Sequence, residues 1–591
     1  MPGLEAANTA THFNDWPNDQ GFDANREQKS PVELSVTGEI PSYAAGVLYR
    51  TGPGRYTVDT ENGDTFKISH WFDGFSQTHR FQLIPSENPG PGMRVFYNSR
   101  FSTDDLIECA RKTGSLGKKI TFGGIRHRDP CTAIYQKVQT TYEPREDSAA
   151  FSNIGVTLSV NMPGLDNVNV SASTNNQEAN AQPSHIKTLH AKTDNSGYKQ
   201  IHPETLEPLG LADQTILHPD LNGRFSASHA RSDPQTGDIY NYNLTFAPTP
   251  TYRVFRVSAS TGETTILATF PGIPAYIHSF FLTKDYVIIC VWNSHLSPAG
   301  FAKGSYMAAI KDYDDSLPAK WYVVDRRQDH RGRGLVATYE SPAFFCFHTI
   351  NAWQEENQTD PTQVDIVAEC VSLGNTDPLK NLYYEFLLSS SSLPEARPAP
   401  ETRDNGGKGQ SRIARFRLPC VPADSSPPPY NDDAGGKEST SISPTRSVIL
   451  ESTSCAPLAP ELPTLNPAYV TLPHRYTYTV IDRGYSTFVD GIMKFDSQTN
   501  ETLIWSEHAQ SPGEAIFVRD PDGEDEDDGV LLTVVLDGRS GRSYLLVLGA
   551  RDLREVGRAS VDGVVAFGFH GCYVSGCSNS KTNGVGAGVD L

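Results

Sequence analysis

No run of 18 uncharged apolar residues occurs in this 591-residue sequence, which excludes a membrane-spanning helix. The opening MPGLEAANTATHFNDWPNDQ has neither a basic stretch nor an apolar core, so no secretory signal is expected. Basic charge is scarce: 50 Lys and Arg face 70 Asp and Glu, for a net charge of −20. Without clustered cations to neutralise phosphates, no nucleic acid is expected as a partner. The nine cysteines are an odd number without regular spacing, several inside apolar strands, and are read as free thiols in a reducing cytoplasm. Convincing helical periodicity is rare, and no WD or Kelch signature repeats.

What the chain does have is strands. Segments such as DYVIICVW, KWYVVDR, VDIVAECVSL and GVLLTVVLDG are short, β-branched or aromatic, and bounded by turn residues. Turns of the type DPQTGD (Asp233–Asp238), SASTGE (Ser258–Glu263) and FDSQTNE (Phe495–Glu501) separate them. At this length a single sandwich is too small a container, and a propeller, a large sandwich and a β-helix all fit the pattern. Ser389–Ser447 departs from it, being rich in Ser, Pro, Gly and charge around the strand-like RIARFRLP, and is read as loop insertions at about 389–410 and 421–447. The expected organisation is an N-terminal extension over 1–30, partly disordered, one catalytic domain over 31–580, and a flexible tail over 581–591. The acidic run Asp520–Asp528 lacks a calcium-loop pattern and reads as a solvated turn.

Four histidines stand out. His348 follows the aromatic run of SPAFFCFHTINAWQEE, while His229, His278 and His570 each lie beside β-type sequence with a small or turn residue near. One histidine at the end of a buried strand is more often a satisfied core residue than a ligand. Four of them, too far apart for any local metal motif, can meet only at an axis shared by many strands, and this favours the propeller. Neutral imidazoles suit Fe(II) with positions left open, although zinc remains compatible with the residues alone.

RTGPGRY (Arg50–Tyr56), HWFDGFSQTHRF (His70–Phe81), RDPC (Arg128–Cys131), the four histidine strands, ELPTLN (Glu461–Asn466), GEAIFV (Gly513–Val518) and EDDGVLLTVV (Glu526–Val535) together resemble the carotenoid cleavage dioxygenase family. The resemblance implies an all-β, seven-bladed β-propeller with a loop and short-helix cap, holding one Fe(2+) per chain through His229, His278, His348 and His570, with O2 as co-substrate. It implies that Glu461, Glu514 and Asp194 take the far N–H of ligand imidazoles. Asp194 stands where glutamate is more usual, which leaves its contact direct, water-mediated or lost. Where the family often shows N-A-Y-E this chain has Asn351-Ala352-Trp353-Gln354, so Glu355 either substitutes or faces solvent. His70 and His79 read as structural.

The implied reaction is oxidative cleavage of a conjugated double bond to two carbonyl products. Similarity to fungal members implies torulene cut to a C35 apocarotenal, as in neurosporaxanthin biosynthesis. Retinal-forming central cleavage of β-carotene or an apocarotenoid is the nearest alternative, and a non-catalytic propeller scaffold the alternative from another class. A stilbene is disfavoured, because Thr193 precedes Asp194 and Lys192 would point to the opposite face of a strand. A polyene needs a dry aromatic tunnel, for which Phe122, Phe280, Phe281, Phe345, Trp353, Phe488 and Phe569 are the expected walls. A substrate dissolved in membrane calls for an apolar patch at the mouth. Ser297–Ile310, with Phe301, Tyr306 and Met307, is expected to dip into the interface, giving a cytoplasmic protein peripheral at membranes.

Overall fold

The computed structural model of the chain describes residues 15–86, 92–117, 119–124, 147–165, 186–246, 248–327, 334–391, 411–423, 445–454 and 458–576. The architecture is all-β and propeller-like. Five sheets stand separately, and their innermost strands are Thr157–Val160 or its neighbour Leu189–Lys192, Arg231–Ser232, Phe281–Leu282, Phe345–Glu356 and Pro460–Thr464. The remaining long strands form one ten-stranded sheet running from Gln510–Pro512 at one end to His570–Ser575 at the other. Successive sheets touch in chain order, the first two through the Asn195–Phe225 bridge and the Thr157 hydroxyl donating to the Ser228 carbonyl, and His570–Ser575 lies against Thr157–Val160, so the sheets close into a ring.

The expected seven separate blades are therefore five sheets and one long one. The cause is Val32–Gly38: Val32 to Leu34 pair with Tyr97 to Val95, while Ser35 to Gly38 pair with Ser560 to Gly557. One strand thus satisfies the open edges of two sets at once, which removes two exposed edges.

Local chemistry explains the strands. Each of the three expected turns closes with a residue in the left-handed region, Gly237 (φ 74°), Gly262 (φ 72°) and Asn500 (φ 61°). Asp233 accepts the Gln235 and Thr236 N–H groups with its side chain, at 2.7 and 2.9 Å, and fixes the first turn. Tyr286–Val291 is buried along its whole length, packed in a core that gathers residues from three neighbouring sheets. Residues 15–24, expected in an extension, are instead seated on the fold: Trp16 Nε1 donates to Ser511 Oγ at 3.0 Å and Phe22 packs edge-on against Phe567 at 4.9 Å. The expected insertions lie mostly, and the tail 581–591 wholly, outside the described residues. Cys109, Cys290, Cys346, Cys370, Cys420 and Cys572 are free thiols. Among the described residues no helix is long and apolar enough to cross a membrane.

Candidate metal centre

The four histidines converge. Their ligand nitrogens all lie within 4.8 Å of one another, and each residue is only 5 to 9% exposed. His229 and His278 sit in the approaches to Arg231–Ser232 and Phe281–Leu282, and His570 opens its strand. His348 lies within Phe345–Glu356, where pairing with the next strand slips between Cys346 and Thr349 and again between Thr349 and Asn351. Such irregularities re-aim a side chain, here into the axis. The His229 N–H donates to the His278 carbonyl at 3.2 Å, tying two of the four together through the backbone.

Three imidazoles turn Nδ1 to a carboxylate: His278 to Asp194 at 2.7 Å, His348 to Glu461 at 2.6 Å and His570 to Glu514 at 2.7 Å. The shorter aspartate thus makes direct contact. Glu514 and His570 belong to opposite ends of the ten-stranded sheet, so that sheet folds back until its two ends meet. Glu355 does not substitute for an acid here; it pairs with Arg417 at 2.8 Å. His70 bonds the Leu379 carbonyl and His79 the Tyr97 hydroxyl, both at 2.9 Å, away from the centre.

With Nδ1–H spent on a carboxylate, Nε2 carries a lone pair. The Nε2 atoms of His348 and His570 face each other at 3.3 Å, and those of His229 and His570 at 3.1 Å. The two Nε2 lone pairs of His348 and His570 cannot bond each other, so this arrangement calls for a cation between them. A proton is a poor candidate: burial holds His570 at about 4 despite Glu514, and burial with the neighbouring imidazoles and Arg231 pushes His229 well below its ordinary value. Burial alone would raise Glu514, but His570 and the buried Arg50 outweigh it and keep the carboxyl ionised below its ordinary value. The donor set fits a divalent metal that accepts neutral nitrogen ligands.

A cavity of about 1660 Å³ reaches His278, His348 and His570. Of the expected walls, Phe122, Phe488 and Phe569 line it. Phe280, Phe281, Phe345 and Trp353 do not. Phe281 stacks on Trp321 at 5.6 Å, Phe280 and Phe345 are fully buried between sheets, and Trp353 packs against His474 at 5.7 Å. Walls not foreseen include Trp71, Phe72, Tyr276 and Phe347. Tyr276 precedes His278 by two positions, so strand alternation alone could have flagged it; Trp71 and Phe72 lie in the quoted HWFDG motif.

Ser297–Ile310 forms two short helices, Pro298–Phe301 and Tyr306–Ala309. Phe301, Tyr306 and Met307 are half-buried against the core, and Phe301 and Tyr306 face the cavity, so this is a wall and not a projecting loop. Apolar exposure at the rim falls on Ile120 (49%) and Leu211 (39%). In the acidic run, Asp525 and Asp528 pair with Arg551 and Asp527 with Lys494, which accounts for their charge.

The profile of the family described as retinal pigment epithelial membrane protein matches residues 21–575. The chain belongs to this family, the carotenoid oxygenases. This carotenoid oxygenase is 40% identical to a Neurospora crassa protein named carotenoid dioxygenase, over 97% of this chain and 93% of that one. To a Gibberella fujikuroi protein named torulene dioxygenase it is 38% identical, over 96% and 95%. A Synechocystis apocarotenoid oxygenase variant shares the fold, with a TM-score of 0.66 at 20% identity over 95% of this chain and 99% of that one.

Proposed function

We propose that this carotenoid oxygenase is a non-haem Fe(II) dioxygenase that uses O2 to cleave a conjugated carbon–carbon double bond of a carotenoid into two carbonyl products, torulene being the substrate and β-apo-4'-carotenal the product. The observation that carries the reading is the convergence of His229, His278, His348 and His570, three of them backed by carboxylates, at the wall of a large aromatic cavity. The names of the fungal relatives, each matched over more than nine-tenths of both chains, support torulene.

The four histidines would hold the iron, which when bound supplies O2 activation. The chain's own residues do the rest. Asp194, Glu461 and Glu514 keep Nδ1 of His278, His348 and His570 protonated and their rings fixed. The aromatic walls exclude water and hold the polyene by dispersion, and their shape selects which double bond stands at the centre. In this reading the ten-stranded sheet counts as two blades sharing Val32–Gly38, giving seven, and each blade contributes one of the seven residues. The short helices at Pro298–Phe301, Tyr306–Ala309, Asp377–Lys380 and Tyr384–Leu387 form the cap, and the rim at Ile120 and Leu211 meets a membrane surface from the cytoplasmic side.

Purified protein should contain about one iron per chain. With torulene, β-carotene, a β-apocarotenal and resveratrol offered separately under ¹⁸O2, labelled β-apo-4'-carotenal from torulene is the expected product. Retinal from β-carotene as the main product would move the cleavage to the centre of the polyene. Reaction with resveratrol alone, or protein without metal, would overturn the proposal.

A further inference from the structure

The three acids behind the ligands are not held alike. Glu461 Oε2 accepts from His348 and from its own neighbour's Leu462 N–H at 3.0 Å, while its Oε1 has no partner among the described residues. Glu514 is fixed by the Gly571 N–H at 2.7 Å and by Arg50 at 3.3 Å. Asp194 has no cation paired with it among the described residues and lacks the length of a glutamate. Its Oδ1 accepts from His278 and, at 3.3 Å, from the Ser228 N–H, and its Oδ2 accepts the hydroxyl of Tyr276 at 2.9 Å.

Tyr276 is well placed to act as an anchor. It is 3% exposed, and its backbone is clamped: its N–H donates to the Ser294 carbonyl at 3.0 Å, and its own carbonyl accepts from Trp292 Nε1 at 3.1 Å and Ser294 Oγ at 2.6 Å. Two positions along the same segment stands His278, so phenol, carboxylate and imidazole close a loop across three consecutive residues.

We propose that Tyr276 is the positioning residue for the ligand His278, its hydroxyl fixing the short Asp194 side chain in the one orientation that reaches Nδ1. The inference rests on the metal-centre reading and is specific to aspartate at this position. A glutamate, one methylene longer, reaches the imidazole over a wider range of rotamers and has less need of the phenol.

The test compares wild type, Tyr276→Phe, Asp194→Glu and the double variant, measuring Fe(II) affinity by competition with a chelator and the visible spectrum of the cobalt(II)-loaded proteins. Loss of an outer hydrogen-bond partner typically weakens metal binding 10- to 100-fold, and Tyr276→Phe, one step further out, should weaken it about tenfold and shift the cobalt bands. Adding Asp194→Glu should restore affinity to within about threefold of wild type, a rescue that a purely packing role for Tyr276 would not give. Equal affinity in Tyr276→Phe and wild type, or a double variant no better than Tyr276→Phe, would overturn the inference while leaving the metal centre standing. Wild type that binds no Fe(II) would overturn both.

Discussion

Replacing Arg50 with methionine should destabilise the metal-free protein by about 3–5 kcal/mol, the usual result of removing one partner from a buried ion pair. The guanidinium is 2% exposed and donates through Nη1 to the Glu514 carbonyl at 2.9 Å and to Oε2 at 3.3 Å. Its slot is cut by glycines: a Cβ on Gly513 would stand 3.0 Å from Nη2, and one on Gly571 2.9 Å from Cδ. No side chain at those positions can fill the space, so nothing replaces the lost charge. Methionine keeps the aliphatic volume but leaves Glu514, which must stay ionised to hold His570, without its cation.

Urea unfolding of the metal-free variants, followed by tryptophan fluorescence, gives the measurement. Arg94→Met is the control, because the Arg94–Glu33 pair is about half exposed on both sides and an exposed pair is worth less than about 1 kcal/mol. Arg50→Met combined with Glu514→Gln should recover at least about 1.5 kcal/mol relative to additivity, since contacting charges couple. A loss below about 1 kcal/mol for Arg50→Met, or strict additivity in the double variant, would refute the reasoning.

Stability should depend on pH in a direction set by buried histidines. Burial, with Arg50 second for His79 and Lys192 second for His190, lowers these groups to about 3 and about 4 from an ordinary 6.5. The unfolded chain therefore binds more protons below pH 6.5, so stability is unaffected above that value and falls as pH drops towards 4; His79→Gln should flatten this limb in urea titrations at pH 4.5, 5.5 and 6.5. Asp73 works in the opposite sense: burial raises it to about 7 from 3.8, so its contribution declines as pH rises through that range, and Asp73→Asn should remove the decline. Phe280→Ala should cost about 3–5 kcal/mol as a core truncation, whereas Phe569→Ala should chiefly alter the product ratio on mixed carotenoids, measured by mass. Ile120→Ser with Leu211→Ser should reduce pelleting with liposomes, while Phe301→Ser with Met307→Ser should lower the melting temperature first, because those two side chains pack inward.

The meeting of the four histidines was legible because four isolated imidazoles beside strands demand a common axis, a constraint independent of register. The walls were not. Phe345 and Phe347 share a strand and sit two apart, yet only Phe347 reaches the cavity, since the pairing slips beside His348 and bends the strand there. Phe280 stands as far after His278 as Tyr276 stands before it, yet it is fully buried in the core and does not line the cavity. The joining of two strand sets into one sheet was equally invisible, because a seven-residue strand that splits its pairing between two partners looks like any other seven-residue strand.

The order of the seven axial residues explains why one carboxylate needs help. Along the chain they run Asp194, His229, His278, His348, Glu461, Glu514, His570, and the sheets that carry them touch in the same order. Glu461 serves His348 and Glu514 serves His570, each the adjacent member of the series. Asp194 instead reaches past His229 to His278. The acid that skips a member of the series is thus the shortest one, and its carboxylate is fixed by the Tyr276 hydroxyl at the outer oxygen and by the Ser228 N–H at the inner one. An Asp194→Ala variant tests the geometry from the other side: His278 alone should lose its orientation, so cobalt(II) loading should retain the ligand-field bands of a three-imidazole site and lose those of four. Unchanged bands would mean that the backbone bond between His229 and His278 suffices to hold the ring, and that the reach of Asp194 has no bearing on it.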